Sequence, residues 1–387
     1  MVFLYIVLAV LMFGVLILIH ELGHFLAARA CGVTVHEFAI GMGPKLLSFC
    51  PGKRRAKKKE DAQKAEGGED LIPSFGAGFE DKRYTVYSIR AFPIGGFVSM
   101  EGENDESDDP NALSNKNVFQ RMLIMVAGPF MNVLLGFILM FVLVCNSAYT
   151  TTAIWYNHEG EHANTVYTSE GEGLLQNMDK ILKVGKTRVH TGYEVSYEIM
   201  YQGYEPVDIT VERDGKVLLI EDVIFPTVEE SGAIVGIQDF GFYYYPDEMV
   251  SFWDRISASF WRSCSTIKMV WDSLGGIFSG RFGVESVSGA VGVTEVMVDA
   301  ARQSTISLLY IVTVISINLG VMNLLPLPAL DGGQLLICFI ELVTRRKVPE
   351  KVKGMINLAG LALLMILMVL ITVKDVTGLV SRLFSGT

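Results

Sequence analysis

The stretch VLILIHELGHFLAARA, residues 15–30, sets two histidines and a glutamate inside a run otherwise apolar enough to lie in lipid. Ionisable side chains at membrane depth cost several kcal/mol unless they are paired or ligating, so they mark a functional site by default. His20 and His24 are four residues apart, which on a helix puts both imidazoles on one face, with Glu21 beside them. This is the H-E-x-x-H spacing, in which two imidazoles ligate one zinc ion next to a general base. Zinc lowers the pKa of its bound water to about 7, and a neighbouring Glu can take that water's proton and deliver it to a leaving amine. The spacing points to hydrolysis of a peptide bond. H-E-x-x-H also occurs by chance in soluble helices, but the lipid-length apolar setting weighs against chance here.

Composition agrees with a membrane setting. Half of the 387 residues are hydrophobic, and the mean hydropathy is positive, as in polytopic membrane proteins. Apolar runs over residues 2–28, 122–147, 306–325 and 355–373 are each near the ~20 residues that a helical span requires. The expected organisation is a first span at 1–30, a connecting region at 31–118 with a charged loop at 51–70, and a second span at 119–148. An inserted outer region follows, then a third span at 303–326, a fourth at 354–374 and a tail at 375–387. The net charge of −10 falls mostly outside the spans and speaks against a nucleic-acid partner. Five scattered cysteines show no disulfide or zinc-ribbon spacing. A cleaved leader is the competing reading of residues 1–30, but the segment has no basic n-region, and its apolar part is longer than a typical h-region.

The basic runs at 51–70 and 344–353 mark cytoplasmic loops by the positive-inside rule. Both termini are then extracytoplasmic, as is the large insert. His20 lies about 28 Å along the first helix from Met1 at ~1.5 Å per residue, which puts the motif toward the cytoplasmic face. Within the insert, residues 174–189 and 207–223 alternate strand-like runs with Gly-Lys and Asp-Gly turns, so this part reads as a small β-rich module. Residues 251–278 space large apolar side chains at helical intervals. They form an amphipathic helix that lies either on the outer membrane surface or against the β module.

A catalytic zinc site needs a third protein ligand and an open position. The leading candidate is Asp331 in NLLPLPALDGGQ, residues 323–334, after a span interrupted by Pro326 and Pro328. Proline breaks the helical hydrogen-bond ladder, and irregular backbone at membrane depth is tolerated where protein or a cavity surrounds it. A turn that merely caps the third span is the alternative reading. His36, Glu37 and Glu341 are rival ligands, but each lies outside a broken span.

HELGH in the first span, NLLPLPALDGG in the third and the insert between spans two and three resemble the site-2 protease family of intramembrane zinc metalloproteases, nearest to the bacterial RseP type. The segments FAIGMGPKLLSF (38–49), YSIRAFPIGGFVSMEGE (87–103), RMLIMVAGPFMNVLLGF (121–137) and VSGAVGVTEV (287–296) carry the resemblance along most of the chain. It implies a polytopic α-helical membrane protein with four transmembrane helices, a membrane-associated β-hairpin and an inserted α+β PDZ-like extracytoplasmic domain. It implies His20, His24 and Asp331 as ligands of Zn2+ and Glu21 as the catalytic acid/base. Asn323 is implied to hold substrate, as are Gly95 and Gly96 within the hairpin at 84–100. An exposed strand edge suits such a role, because a helical substrate must be unwound and its extended backbone can then be held by β-augmentation.

MDKILKVGKTRV, residues 178–189, resembles the core of a PDZ domain and implies a single one at about 156–225, followed by a linker and amphipathic helix at 226–302. The family's usual Gly before Asp is Met178 here, and the carboxylate-binding loop is indistinct, so a size filter is implied in preference to a peptide recruiter. The implied partners are single-span membrane proteins in the bacterial cytoplasmic membrane, such as anti-sigma factors and remnant signal peptides, cut after a first cleavage by another protease. Two other readings are a PDZ membrane scaffold with a structural metal and a membrane zinc protease of another class. A structural site would be closed by four protein ligands, and another class would not be expected to take an Asp from a broken later span.

Overall fold

The computed structural model describes residues 2–50, 85–103, 107–155, 167–168, 175–230, 233–238, 240–283, 287 and 289–385. The charged loop at 51–70, the start of the expected hairpin and much of the early insert lie outside these residues. Four helices are long and apolar enough to cross a membrane: Val7–Ala30, Val118–Cys145, Thr305–Asn323 and Lys351–Thr377. The chain divides into two compact units, one formed by residues 1–135, 293–302 and 318–387, the other by 136–292 and 303–317.

In the first unit, α1 (Val2–Ala30) leads into two long strands, β1 (Val35–Phe49) and β2 (Val86–Met100), which pair antiparallel. Each strand doubles back on itself. Residues 35–40 lie between 96–100 and 86–89, while 45–49 pair outside 87–90. Gly41 and Gly95, with φ of +85° and +81°, sit where the strands turn, in a conformation that costs glycine little. The sheet is anchored by its buried half: Val35, Phe38, Val98 and Met100 form a core with Ala28, Val33, Leu113 and Ile124. The Phe25, Phe38 and Tyr87 rings pack at centroid distances of 5.1 to 6.3 Å. Its far half leaves Met42, Leu46, Leu47, Phe49 and Phe92 exposed.

The helix α2 (Val118–Cys145) carries Pro129, which has no N–H to give the Met125 carbonyl. Further along are α5 (Ala290–Gln303), α6 (Thr305–Asn323), α7 (Asp331–Thr344) and α8 (Glu350–Ser385), counting α3 and α4 in the second unit. The segment after the third span, for which a capping turn was the alternative reading, starts a helix at Asp331, and the last helix runs on through the start of the 375–387 tail to Ser385. A buried ion cluster ties the first unit together: Arg121 donates to Glu341 at 2.5 Å, and Lys353 lies 3.1 Å from its other oxygen.

The second unit holds a mixed-length antiparallel sheet in the order β11-β3-β5-β7-β8-β4, with β6 on β5. Its strands are β3 (Tyr149–Trp155), β4 (Tyr167–Thr168), β5 (Lys180–Val184), β6 (Thr187–Arg188), β7 (Val207–Arg213), β8 (Lys216–Ile224) and β11 (Gly241–Tyr245). The short hairpin β9 (Thr227–Glu230) and β10 (Ala233–Gly236) stands beside it. The β module is therefore wider than the expected 156–225, since β3 and β11 lie outside that range and join the sheet. Inward residues Ile154, Ile181, Ile209, Val211 and Val223 meet Val195 and Ile199 of α3 (Gly192–Gln202) in one core. That helix starts with a capping box between Thr191 and Glu194. The buried Asp179 takes two hydrogen bonds from Arg213, at 2.7 and 2.6 Å.

The amphipathic helix α4 (Phe252–Phe278) starts with a second capping box, Ser251 with Asp254. It buries its small side, Ala258, Ser259, Ser263, Ser265 and Thr266 among others. Trp253, Phe260, Trp271 and Phe278 stay exposed. Their spacings of seven, eleven and seven residues place them in one stripe.

Candidate metal centre

Two helices of the first unit touch so closely that nothing larger than glycine fits between them. A Cβ at Gly23 would overlap the Ala127 carbonyl of α2, and one at Gly128 would overlap the ring of His24. The contact brings the polar face of α1 against α2 and buries both histidines, which are 8% and 7% exposed. Each ring is held from α2 by its Nδ1. That of His24 donates to the Ile124 carbonyl at 2.8 Å, and that of His20 faces the amide of Asn132 at 3.2 Å.

The two Nε2 atoms therefore point the same way, 3.1 Å apart. Asp331 completes the group: its Oδ2 is 3.0 Å from His20 Nε2 and 3.4 Å from His24 Nε2. The local backbone fixes that carboxylate. Asp331 is the first residue of α7, after a connection in which Ala329 has φ of +69°. Gly332 and Gly333 lie directly on the carbonyls of Leu325 and Leu327, where side chains would collide. The α7 start is thus pressed onto the broken end of α6.

The three donor atoms fit a zinc ion. A tetrahedral site with bonds of about 2.0–2.1 Å has ligand-to-ligand edges of about 3.3 Å, and the observed edges are 3.0, 3.1 and 3.4 Å. Two imidazoles and one carboxylate are a donor set of the catalytic kind, with one position left over. Beside His20 and Asp331 lies a cavity of about 270 Å³ lined by Ile17, His20, Glu21, Leu319, Asn323, Ala329, Leu330 and Asp331. Among the described residues, His20, His24 and Asp331 are the group placed to hold a metal ion.

Glu21 shares the cavity wall with Asn323. Its carboxylate accepts a hydrogen bond from the backbone N–H of Val98, in the β2 segment that forms one edge of the doubled sheet. Gly96 passes the Glu21 side chain, since a Cβ there would lie 3.7 Å from Glu21 Cγ and 2.7 Å from the Ala39 carbonyl. A Cβ at Gly95 would meet Met42 and Ile17 instead. The rival ligands are elsewhere. His36 pairs with Glu101 at 2.6 Å, Glu37 with Lys45 and Arg90 at 2.9 Å, and Glu341 belongs to the Arg121 cluster.

Three contributors escaped the motif reading. Gly128 acts through a close approach that no linear pattern reveals. Asn132 did carry a signal, as an amide in the middle of an apolar span. Glu103, which interacts electrostatically with His24 and Asp331 from the end of β2, carried none.

A family model described as peptidase family M50 matches residues 8–56 and 71–367. A Clostridium acetobutylicum protein provisionally named a zinc metalloprotease is 35% identical over 371 residues, covering 96% of this chain and 97% of its own. A similarly named protein of Fusobacterium nucleatum is 32% identical, covering 95% and 97%. The regulator of sigma-W protease RasP of Bacillus subtilis is 25% identical over 454 residues, covering 96% and 97%.

Proposed function

Because the chain belongs to peptidase family M50, the site-2 protease family, and is thereby a zinc metalloprotease with membrane-spanning helices, we propose that it hydrolyses peptide bonds within or near the transmembrane segment of single-span membrane proteins. The observation that carries this reading is the convergence of His20 Nε2, His24 Nε2 and Asp331 Oδ2 beside Glu21 on an open cavity. His20, His24 and Asp331 would hold the zinc, which would supply Lewis-acid chemistry at the scissile peptide when bound. Glu21 accepts the proton of the attacking water and returns it to the departing amine.

Asn323, on the last turn of α6, supports the substrate backbone from the lining of the same cavity. Ile17, Leu319 and Leu330 form the apolar walls against which a lipid-soluble side chain packs. The edge of the doubled sheet at 96–100 receives the unwound substrate as an added strand, with Gly95 and Gly96 letting it approach. The active site lies toward the cytoplasmic side of a bacterial cytoplasmic membrane, with both termini and the second unit's β module outside. That module is PDZ-like and works as a size filter, and the aromatic stripe of α4 rests at the outer interface. The substrates are anti-sigma factors and remnant signal peptides left by a first cleavage. The sigma-W regulator name of the Bacillus subtilis relative favours the former.

Glu21→Gln tests the reaction. It should abolish cleavage of a model single-span substrate in proteoliposomes while zinc stays bound, and wild-type cleavage by that variant would refute the assigned base. Cysteine labelling of residues 53–64 checks the orientation, which fails if the label enters from outside intact cells.

A further inference from the structure

Asn132 is fully buried in the middle of α2, and its side-chain amide faces Nδ1 of His20 at 3.2 Å. An amide buried in an apolar helix is costly unless it is hydrogen-bonded, so its place opposite a ring nitrogen calls for a chemical reason. The other histidine supplies one. His24 presents Nε2 to the Asp331 carboxylate and donates Nδ1–H to the Ile124 carbonyl. His20 also presents Nε2 to Asp331, so its proton must sit on Nδ1 as well, and that N–H needs an acceptor.

Nδ2 of Asn132 is assigned to that contact, which would set one donor against another. The oxygen and nitrogen of an amide exchange places by a 180° rotation and are assigned from their partners. With His20 ligating through Nε2, the consistent orientation turns Oδ1 toward His20. We infer that Asn132 is the positioning residue of the metal site, accepting the Nδ1–H of His20 through Oδ1 and thereby fixing its tautomer and ring plane. This rests on the proposal that His20, His24 and Asp331 hold zinc.

The choice of an amide has its own consequence. Both histidines are then oriented by neutral acceptors, a peptide carbonyl and a side-chain amide, while the carboxylate of Asp331 is the single negative ligand. A carboxylate at 132 would orient His20 equally well but would add negative charge behind it. That raises ligand basicity and weakens the ion as a Lewis acid.

The test is zinc affinity of the detergent-solubilised full chain by chelator competition, with Co2+ absorption as a second reporter of ligand geometry. Asn132→Leu should bind zinc 10–100-fold more weakly than wild type, with an altered cobalt spectrum. Asn132→Asp should restore the affinity and the spectrum while turning over more slowly than wild type. If Asn132→Leu does not fold, Asn132→Ser, with a hydroxyl oxygen as acceptor, is set against Asn132→Ala, and only the serine variant should bind near wild-type strength. Zinc affinity of the leucine variant within twofold of wild type overturns the inference, as does an aspartate variant as weak as the leucine one. Asp331→Ala separates this from failure of the underlying reading, since unchanged zinc affinity in that variant refutes the ligand set itself.

Discussion

Gly128→Ala adds a single methyl group to a membrane helix, where glycine is ordinarily the weaker residue by about 0.5–1 kcal/mol. Propensity alone predicts a small gain. The site predicts a loss, because the new Cβ would lie 2.7 Å from His24 Cδ2 and 2.8 Å from Cε1, with Nε2 nearer still. Ordinary carbon contacts begin near 3.5 Å, so the ring carbons must retreat by roughly 0.8 Å and Nε2, which is nearer, by more. The ring cannot swing freely, since Nδ1 is held by the Ile124 carbonyl and Gly23 lies against Ala127 on the same face. Metal-ligand distances tolerate about ±0.2 Å, so the shift carries Nε2 out of bonding range. Overpacking costs typically about 1–3 kcal/mol, which leaves the fold destabilised modestly and the metal site severely. Zinc affinity by chelator competition and cleavage of a model substrate should fall at least tenfold together. Gly320→Ala serves as the control, since its Cβ would meet the Pro129 carbonyl and Val133 at 2.8 Å, away from the histidines. It should cost stability and keep zinc. Wild-type zinc affinity in Gly128→Ala would refute the reasoning.

Asp331→Ala should leave the purified protein without stoichiometric zinc, whereas Asn323→Ala should retain zinc and cut more slowly; metal analysis beside a cleavage assay distinguishes them. Met178 has φ of +73° and is exposed, a conformation that costs a side chain roughly 1–2 kcal/mol. Met178→Gly should therefore stabilise the β module by about 0.5–1 kcal/mol after the extra entropy of glycine, read as a higher melting temperature. Burial alone would raise the pKa of Glu341, but hydrogen bonds from Arg121, the Val348 N–H and Lys353 hold it below the ordinary carboxylate range. Folded, it binds fewer protons than the unfolded carboxyl of about 4.3, so its contribution is complete above that pH and is lost as pH falls through the lower folded value. Thermal melts from pH 6 to pH 3 should show this acid loss in wild type and a shallower dependence in Glu341→Gln.

The parts of the centre that follow a period or a broken rule were legible in the sequence. His20, Glu21 and His24 obey helical spacing inside an apolar run, and Pro326 and Pro328 announce that the third span ends irregularly near a carboxylate. What lay hidden depends on approach between distant segments. Gly23 and Gly128 are ordinary residues until α1 and α2 touch, and Gly332 and Gly333 left a capping turn open as the alternative reading because glycines usually end helices. Here they begin one, since their missing side chains let it press on the α6 exit. The β module was found by its alternation, but β3 fell outside its expected bounds of 156–225, because its partner β11 comes nearly ninety residues later. Met178 was visible as a departure from the Gly-Asp pattern, and its backbone is left-handed, with φ of +73°, a conformation that favours glycine.

Asp331 joins His20 and His24 across about three hundred residues of chain, and this separation has a meaning in time. A ribosome adding about 5–20 residues per second needs roughly 15–60 s to cover that distance. Throughout that interval the nascent chain carries two imidazoles and a glutamate already in the bilayer, but not the carboxylate that completes the centre. If these three residues hold zinc as proposed, a half-made copy has only two of its ligands. The third arrives once α6 is complete and α7 has begun, so the order of synthesis sets the moment at which the proposed centre can form.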